Sequence, residues 1–202
     1  MAHAPRTRLD PEARRAQLVA LGLQMLSTRP RDKVAIDDIA AEAGISRGLL
    51  FHYFPTKRDF HVAVAQAAAQ DLLDRTDPGA DLPLLERLQV GVEAFVDHLT
   101  DNRDAYVAFI RGSSGGDPEL LDVYEATRTA FTDRVLDGLG VAAPAPPQLR
   151  AAVRGWLAFT EEVTVDWLTH GHLERDQVID LIDDALVALV TVATGAWPPP
   201  EG

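Results

Sequence analysis

Residues 36–57 read IDDIAAEAGISRGLLFHYFPTK, and this stretch decides the fold. Ile36, Ile39, Ala40 and Ala43 recur at spacings of three and four, the pattern of a short helix with one buried side. Gly44 follows at its C-terminal end, where a left-handed residue costs least as glycine. Ser46 can accept a backbone N–H and so open a second helix, RGLLFHY, which Phe54 and Pro55 stop. Thr56 can then cap a further helix. Two short helices across a glycine-containing turn make a helix-turn-helix, with small residues such as Ala40 and Ala43 allowing close packing.

The chain on either side extends this unit. Upstream, Asp10 and Pro11 make a good helix opening, Leu18, Leu21, Met25 and Leu26 give one apolar stripe, and Pro30 ends the run. Downstream, Phe60, Val64, Ala67, Ala68 and Leu72 share one side of a long helix. The expected organisation is a flexible basic arm at 1–10, a three-helix head at 11–56 and a linking fourth helix at 57–76. A larger body follows at 77–195, and 196–202 is read as a flexible tail. In the body, helical patterns run over about 82–99, 102–112, 117–138, 147–170 and 175–194, broken by GSSGGDP, GLGVAAPAPP and THGHL. No alternating strand pattern stands out, so the expected class is all-α with about nine helices.

The charge is unevenly distributed. Of a net −12, residues 1–60 carry +3 and residues 61–202 carry −15. A weakly basic head on an acidic body suits a protein that presents one end to a polyanion. The absence of cysteine excludes disulfides and thiolate metal sites and fits a cytoplasmic home. The first residues lack the apolar core of a signal peptide. The most apolar late segment carries three aspartates in its first half, so it reads as amphipathic and no membrane partner is expected.

A second helix braced by a first is the arrangement that places side chains in the DNA major groove. Arg47 is the long basic residue of that helix and can meet guanine bidentately. Gly48 leaves room for the groove wall, His52 can reach a base or phosphate, and the Tyr53 hydroxyl can donate to a phosphate. Lys57, at the start of the next helix, can add its charge to backbone N–H groups for phosphate. Leu50 and Phe54 read as packing residues.

The segment from about 11 to 60, with Phe51, His52, Tyr53, Phe54, Pro55, Thr56 and Lys57 at and beyond the end of the second helix of the turn, resembles the DNA-binding domain of the TetR family of transcriptional regulators. The resemblance places Arg47 and His52 at positions that often face bases, and Tyr53 and Lys57 at positions that often hold phosphate. It also matches Leu49 and Phe51 to positions that touch the DNA backbone. Two departures remove hydroxyls: Ala35 stands where the family often has Thr, and Phe51 where it usually has Tyr. Arg6 and Arg8 in the arm are candidates to offset that loss.

The resemblance further implies a homodimer on double-stranded operator DNA, paired through its last two long helices and released by a small-molecule effector. Those helices are more apolar than one buried stripe requires, and Val163, Trp167, Leu181, Leu186 and Leu189 are the interface candidates. Tyr106, Phe109, Tyr124, Trp156 and Phe159 supply the aromatic surface and polar tips that line small-molecule cavities, so a hydrophobic or amphipathic effector is expected. Of Glu161 and Glu162, one can meet a polar ligand.

Two other classes compete. An enzyme lacks support: there is no nucleophile elbow, HExxH or GK[ST] phosphate loop, His170–Gly171–His172 sits in a turn, and no cofactor or metal is implied. A helical, dimeric interaction module with degenerate DNA binding is the second alternative, kept open by the missing hydroxyls.

Overall fold

The computed structural model describes residues 10–28, 36–79, 82–114 and 117–199. Among the described residues the chain is all-α, with eight helices: α1 (Pro11–Thr28), α2 (Ile36–Glu42), α3 (Arg47–Tyr53), α4 (Lys57–Arg75), α5 (Leu84–Ser114), α6 (Pro118–Gly138), α7 (Pro147–His170) and α8 (Arg175–Thr194). The count falls one short of the nine expected because the patterns over 82–99 and 102–112 belong to one helix. Asn102 leaves helical geometry (φ −124°, ψ 23°) without ending α5. Its side-chain amide donates to the His98 carbonyl at 3.0 Å, satisfying an acceptor at the kink.

The chain divides into two compact units after Ala68. In the first, Leu18, Ile39, Leu50, Phe54, Phe60 and Val64 are fully buried, with Phe54 and Phe60 edge to face at 5.1 Å. Each such side chain stabilises the head by roughly 1.5–3 kcal/mol relative to exposure. Local chemistry sets the helix ends. Asp10 accepts the Ala13 N–H at 2.8 Å and Ser46 accepts the Leu49 N–H at 3.2 Å. Thr56 and Asp59 cap α4 reciprocally at 2.8 and 3.1 Å. At the end of α2, Gly44 takes φ 63°, and the Gly44 and Ile45 N–H groups return to the Ala41 and Ala40 carbonyls. That closure turns the chain into α3 within four residues.

In the second unit α7 and α8 share the most extensive packing. Val153 and Trp156 of α7 meet Val178, Ile182, Leu186 and Val190 of α8, and Val92, Val96, Val135 and Leu136 close the core from α5 and α6. The Trp156 indole N–H donates to the Ile182 carbonyl at 2.8 Å, so burying the ring leaves no unmet donor. The core reaches past the expected tail boundary at 196: Trp197 packs against it and Pro199 is buried. No helix among the described residues is long and apolar enough to cross a membrane.

Candidate functional site

The first turn of α3 is open to solvent. Arg47, Gly48 and Leu49 are exposed while Leu50 is fully buried, so α3 is pinned by one side and presents the other. His52 lies one turn further on and is also exposed. Phe51 and Tyr53 are half-buried and pack against the head core; the His52 and Tyr53 rings meet edge to face at 5.6 Å. A Cβ at Gly48 would meet only the Ser46 hydroxyl, at 4.0 Å, so nothing within the chain demands glycine there. Lys57 is exposed at the first residue of α4, where the Thr56 and Asp59 N–H groups are already taken by the cap. Ala35 and the arm residues Arg6 and Arg8 lie outside the described residues.

Sequence reading missed the partner of Arg47. Its guanidinium donates to Asp37 of α2 at 2.9 Å and lies 5.5 Å from the centroid of the Phe51 ring. Both charged side chains are more than half exposed, so the pair is a modest restraint on a surface group. Helical periodicity pairs residues three or four apart and gives no signal for a contact ten residues apart across a turn.

The second unit holds a cavity of about 90 Å³. Leu72, Val92, Phe95, Phe131, Trp156 and Leu157 form most of its apolar wall. Of the five aromatic candidates, Tyr106, Tyr124 and Trp156 line it. Phe159 does not, because it packs against the α7–α8 core instead. Phe109 falls within α5, but its side chain lies outside the described residues.

Polar groups complete the wall. The Tyr124 hydroxyl donates to Glu161 at 2.8 Å, and Arg128 donates to that hydroxyl at 3.0 Å and to the Arg154 carbonyl at 2.8 Å. Burial pushes the Glu161 carboxyl above its ordinary range, against the opposing pull of the Tyr124 hydroxyl and the Arg128 charge. Burial, and then the Glu161 charge, push Tyr124 up to about 12 and Tyr106 well above the ordinary phenol value. Both phenols therefore stay protonated, as donors, at neutral pH. Of the two adjacent glutamates it is Glu161 that lines the cavity, while Glu162 is exposed. Arg87, Arg128 and Arg134 also line it, and sequence reading singled out none of them.

The interface candidates divide. Leu181 is 43% exposed, and Val163, Trp167 and Leu189 are half-buried, with the Trp167 N–H donating to the Leu173 carbonyl at 2.8 Å. Leu186 is 2% exposed and sits inside the chain's own core, so it has no surface left to offer a second copy. Among the described residues no three metal-ligating side chains cluster. His170 and His172 stack at 5.6 Å around Gly171, which ends α7 at φ 64°.

Comparison with known proteins bears on both units. Residues 18–64 match the family model described as bacterial regulatory proteins, tetR family, and residues 84–189 match the tetracyclin repressor-like, C-terminal domain. A crystal structure of a tetR-family transcriptional regulator from Streptomyces coelicolor superposes with a TM-score of 0.82 at 31% identity, covering 93% of this chain and 84% of that one. The HTH-type transcriptional activator FasR of Mycolicibacterium smegmatis is 26% identical over 132 residues, 64% of this chain and 60% of its own length. The HTH-type transcriptional regulator EthR of Mycobacterium tuberculosis is 29% identical over 154 residues, 68% and 67% of the two chains. The chain thus spans under two thirds of the length of the first of these curated relatives.

Proposed function

Because this chain belongs to the TetR family of transcriptional regulators, we propose that it is a ligand-responsive regulator that binds a palindromic operator as a homodimer in the cytoplasm. In this reading it is a repressor, released when a small hydrophobic or amphipathic effector enters the cavity of the second unit. The observation that carries the DNA half is the exposed first turn of α3, with Arg47, Gly48 and Leu49 outward on a helix anchored by Leu50. Arg47 and His52 would address base edges, and Tyr53 and Lys57 phosphates. Leu49 and Phe51 would lie along the backbone. Dimerisation would use the outer surface of α7 and α8, through Val163, Trp167, Leu181 and Leu189, which aligns two heads with successive major-groove faces.

Effector and operator then compete by population shift. A ligand that prefers one conformation of the body lowers the population of the DNA-binding one, and DNA weakens ligand binding by the same factor. Helix α4 runs through the division between the two units and is the covalent route for that coupling.

The test is a binding titration of the purified protein against the intergenic DNA beside its own gene, with Arg47→Ala as control. Sequence-selective binding with strong salt dependence, lost in the control, is the expected result. Absence of binding to that DNA and to a random-sequence library would leave the interaction-module reading in its place. A reporter under the same intergenic DNA gives the sign: expression of the protein lowers it for a repressor and raises it for an activator.

A further inference from the structure

The charge inside the cavity runs against the charge of the unit that contains it. Residues 61–202 carry −15, yet the residues that line the cavity include three arginines, Arg87, Arg128 and Arg134, against one acidic residue, Glu161. Elsewhere in this unit arginines find acids: Arg150 pairs with Asp133 at 2.8 Å, Arg154 with Glu125 at 2.6 Å and Arg175 with Asp97 at 2.8 Å. None of the three cavity arginines forms such a pair among the described residues. Arg134 spends one nitrogen on the Leu73 carbonyl, at 2.9 Å, and the Thr76 hydroxyl, at 3.2 Å. Arg128 is used by Tyr124 and the Arg154 carbonyl.

The unmet hydrogen-bonding capacity has the same sign. Arg87 Nε, Arg128 Nε and Thr160 Oγ1, all in residues of the cavity wall, are buried and have no hydrogen-bond partner among the described residues. Two of these atoms can only donate and the third can do so. Buried donors without acceptors, beside uncompensated positive charge, are costly in a folded protein. Glu161, in contrast, already accepts the Tyr124 hydroxyl and feels the Arg128 charge, so it does not call for a cationic ligand.

Resting on the regulator reading above, we infer that the effector is an organic anion, a carboxylic acid with a short apolar chain or ring, held among Arg87, Arg128 and Arg134. A carboxylate in the cavity offers acceptors to the arginines that line it, and guanidinium groups suit it because they can donate two parallel hydrogen bonds. The apolar part lies along Leu72, Val92, Phe95 and Phe131.

Calorimetric titration of the full chain tests this with hexanoate and benzoate against hexanol, benzyl alcohol, hexylamine and benzylamine. The acids should bind at least about tenfold more tightly than the matched alcohols, the range expected for one charge-assisted contact. Arg87→Gln and Arg134→Gln should each erase much of that preference, Arg87→Lys should restore part of it, and Glu161→Gln should tighten acid binding. Circular dichroism of each variant establishes that it is folded. The wild-type ranking stands as a test whatever the variants do. Equal binding of acids and alcohols, preference for the amines, or no acid binding at 10 mM (about −2.7 kcal/mol) would overturn the inference. Operator titration of the same preparation separates the two readings. DNA binding without acid binding removes the anion assignment and leaves the regulator. Acid binding that never alters DNA affinity keeps the anion site and removes its role as effector site.

Discussion

Arg47 Nη1 lies 2.9 Å from Asp37 Oδ2, tying the first residue of α3 to the second residue of α2. In the proposed complex Arg47 must leave Asp37 to reach a base, and Asp37 brings a negative charge close to the DNA backbone. An exposed pair of this kind contributes about 0.2–1 kcal/mol. Asp37→Asn is therefore expected to tighten operator binding by up to about fivefold at low salt, with the gain shrinking as salt rises. Arg47→Ala should weaken it. Should Asp37→Asn lose affinity as severely as Arg47→Ala, Asp37 is instead a brace that Arg47 needs while bound.

Gly22 is buried where α1 meets α4. A Cβ there would come within 2.7 Å of both the Phe60 ring edge and a Val64 methyl. Alanine normally gains about 1 kcal/mol over glycine inside a helix. Here the clash falls in a filled core, where overpacking costs typically 1–3 kcal/mol. Gly22→Ala should lower the midpoint of thermal unfolding; a raised midpoint would mean that Phe60 and Val64 yield easily.

Burial, reinforced by Asp180, Glu93 and Asp184, pushes the half-buried Asp183 from its ordinary 3.8 up to about 6. A carboxyl with a raised folded-state value holds its proton better in the folded chain between those two values. Its contribution is therefore fully present below about pH 4 and is lost as the pH rises through about 6. Asp183→Asn should stabilise the protein by about 1 kcal/mol above pH 7, allowing for solvent screening, and by nothing near pH 3.5. Thermal melts of both proteins across pH 3.5–8 check this, and a pH-independent difference would remove the titration as its cause.

Leu181 is 43% exposed and Val192 85% exposed on α8, so both leave apolar surface uncovered by the single chain. If α7 and α8 form the dimer surface, Leu181→Glu and Val192→Glu place charges into an apolar contact. Sedimentation should show a monomer with an unchanged far-ultraviolet circular dichroism spectrum. A dimer that survives both substitutions would place the interface elsewhere.

Much of the fold was legible because it depends on local chemistry. Apolar spacings of three and four, together with caps and helix breakers, placed seven of the eight helices seen among the described residues. Caps at Asp10, Ser46 and Thr56, and the left-handed turn at Gly44, depend on residues at most a few positions apart. The pattern was split at residues 100–101, beside the kink at Asn102, because a polar break in a hydrophobic pattern looks the same whether the helix stops or kinks. The exposed α3 face was readable for the same local reason: burying Leu50 turns Arg47 and His52 away from the core.

The sequence by itself determined an all-α chain with a helix-turn-helix, because those features follow from side-chain periodicity and backbone sterics over a few residues. Only the tertiary structure decided which side chains share a cavity, which leucine of α8 is spent on the chain's own core, and which acid meets Arg47. Tyr106, Tyr124 and Trp156 come together from three helices, and Arg87, Arg128 and Arg134 join them from α5 and α6. Leu181 and Leu186 look alike in the sequence, yet one is exposed and the other buried. Such choices are made by packing between distant segments, where many weak contacts act together and no local spacing records the outcome.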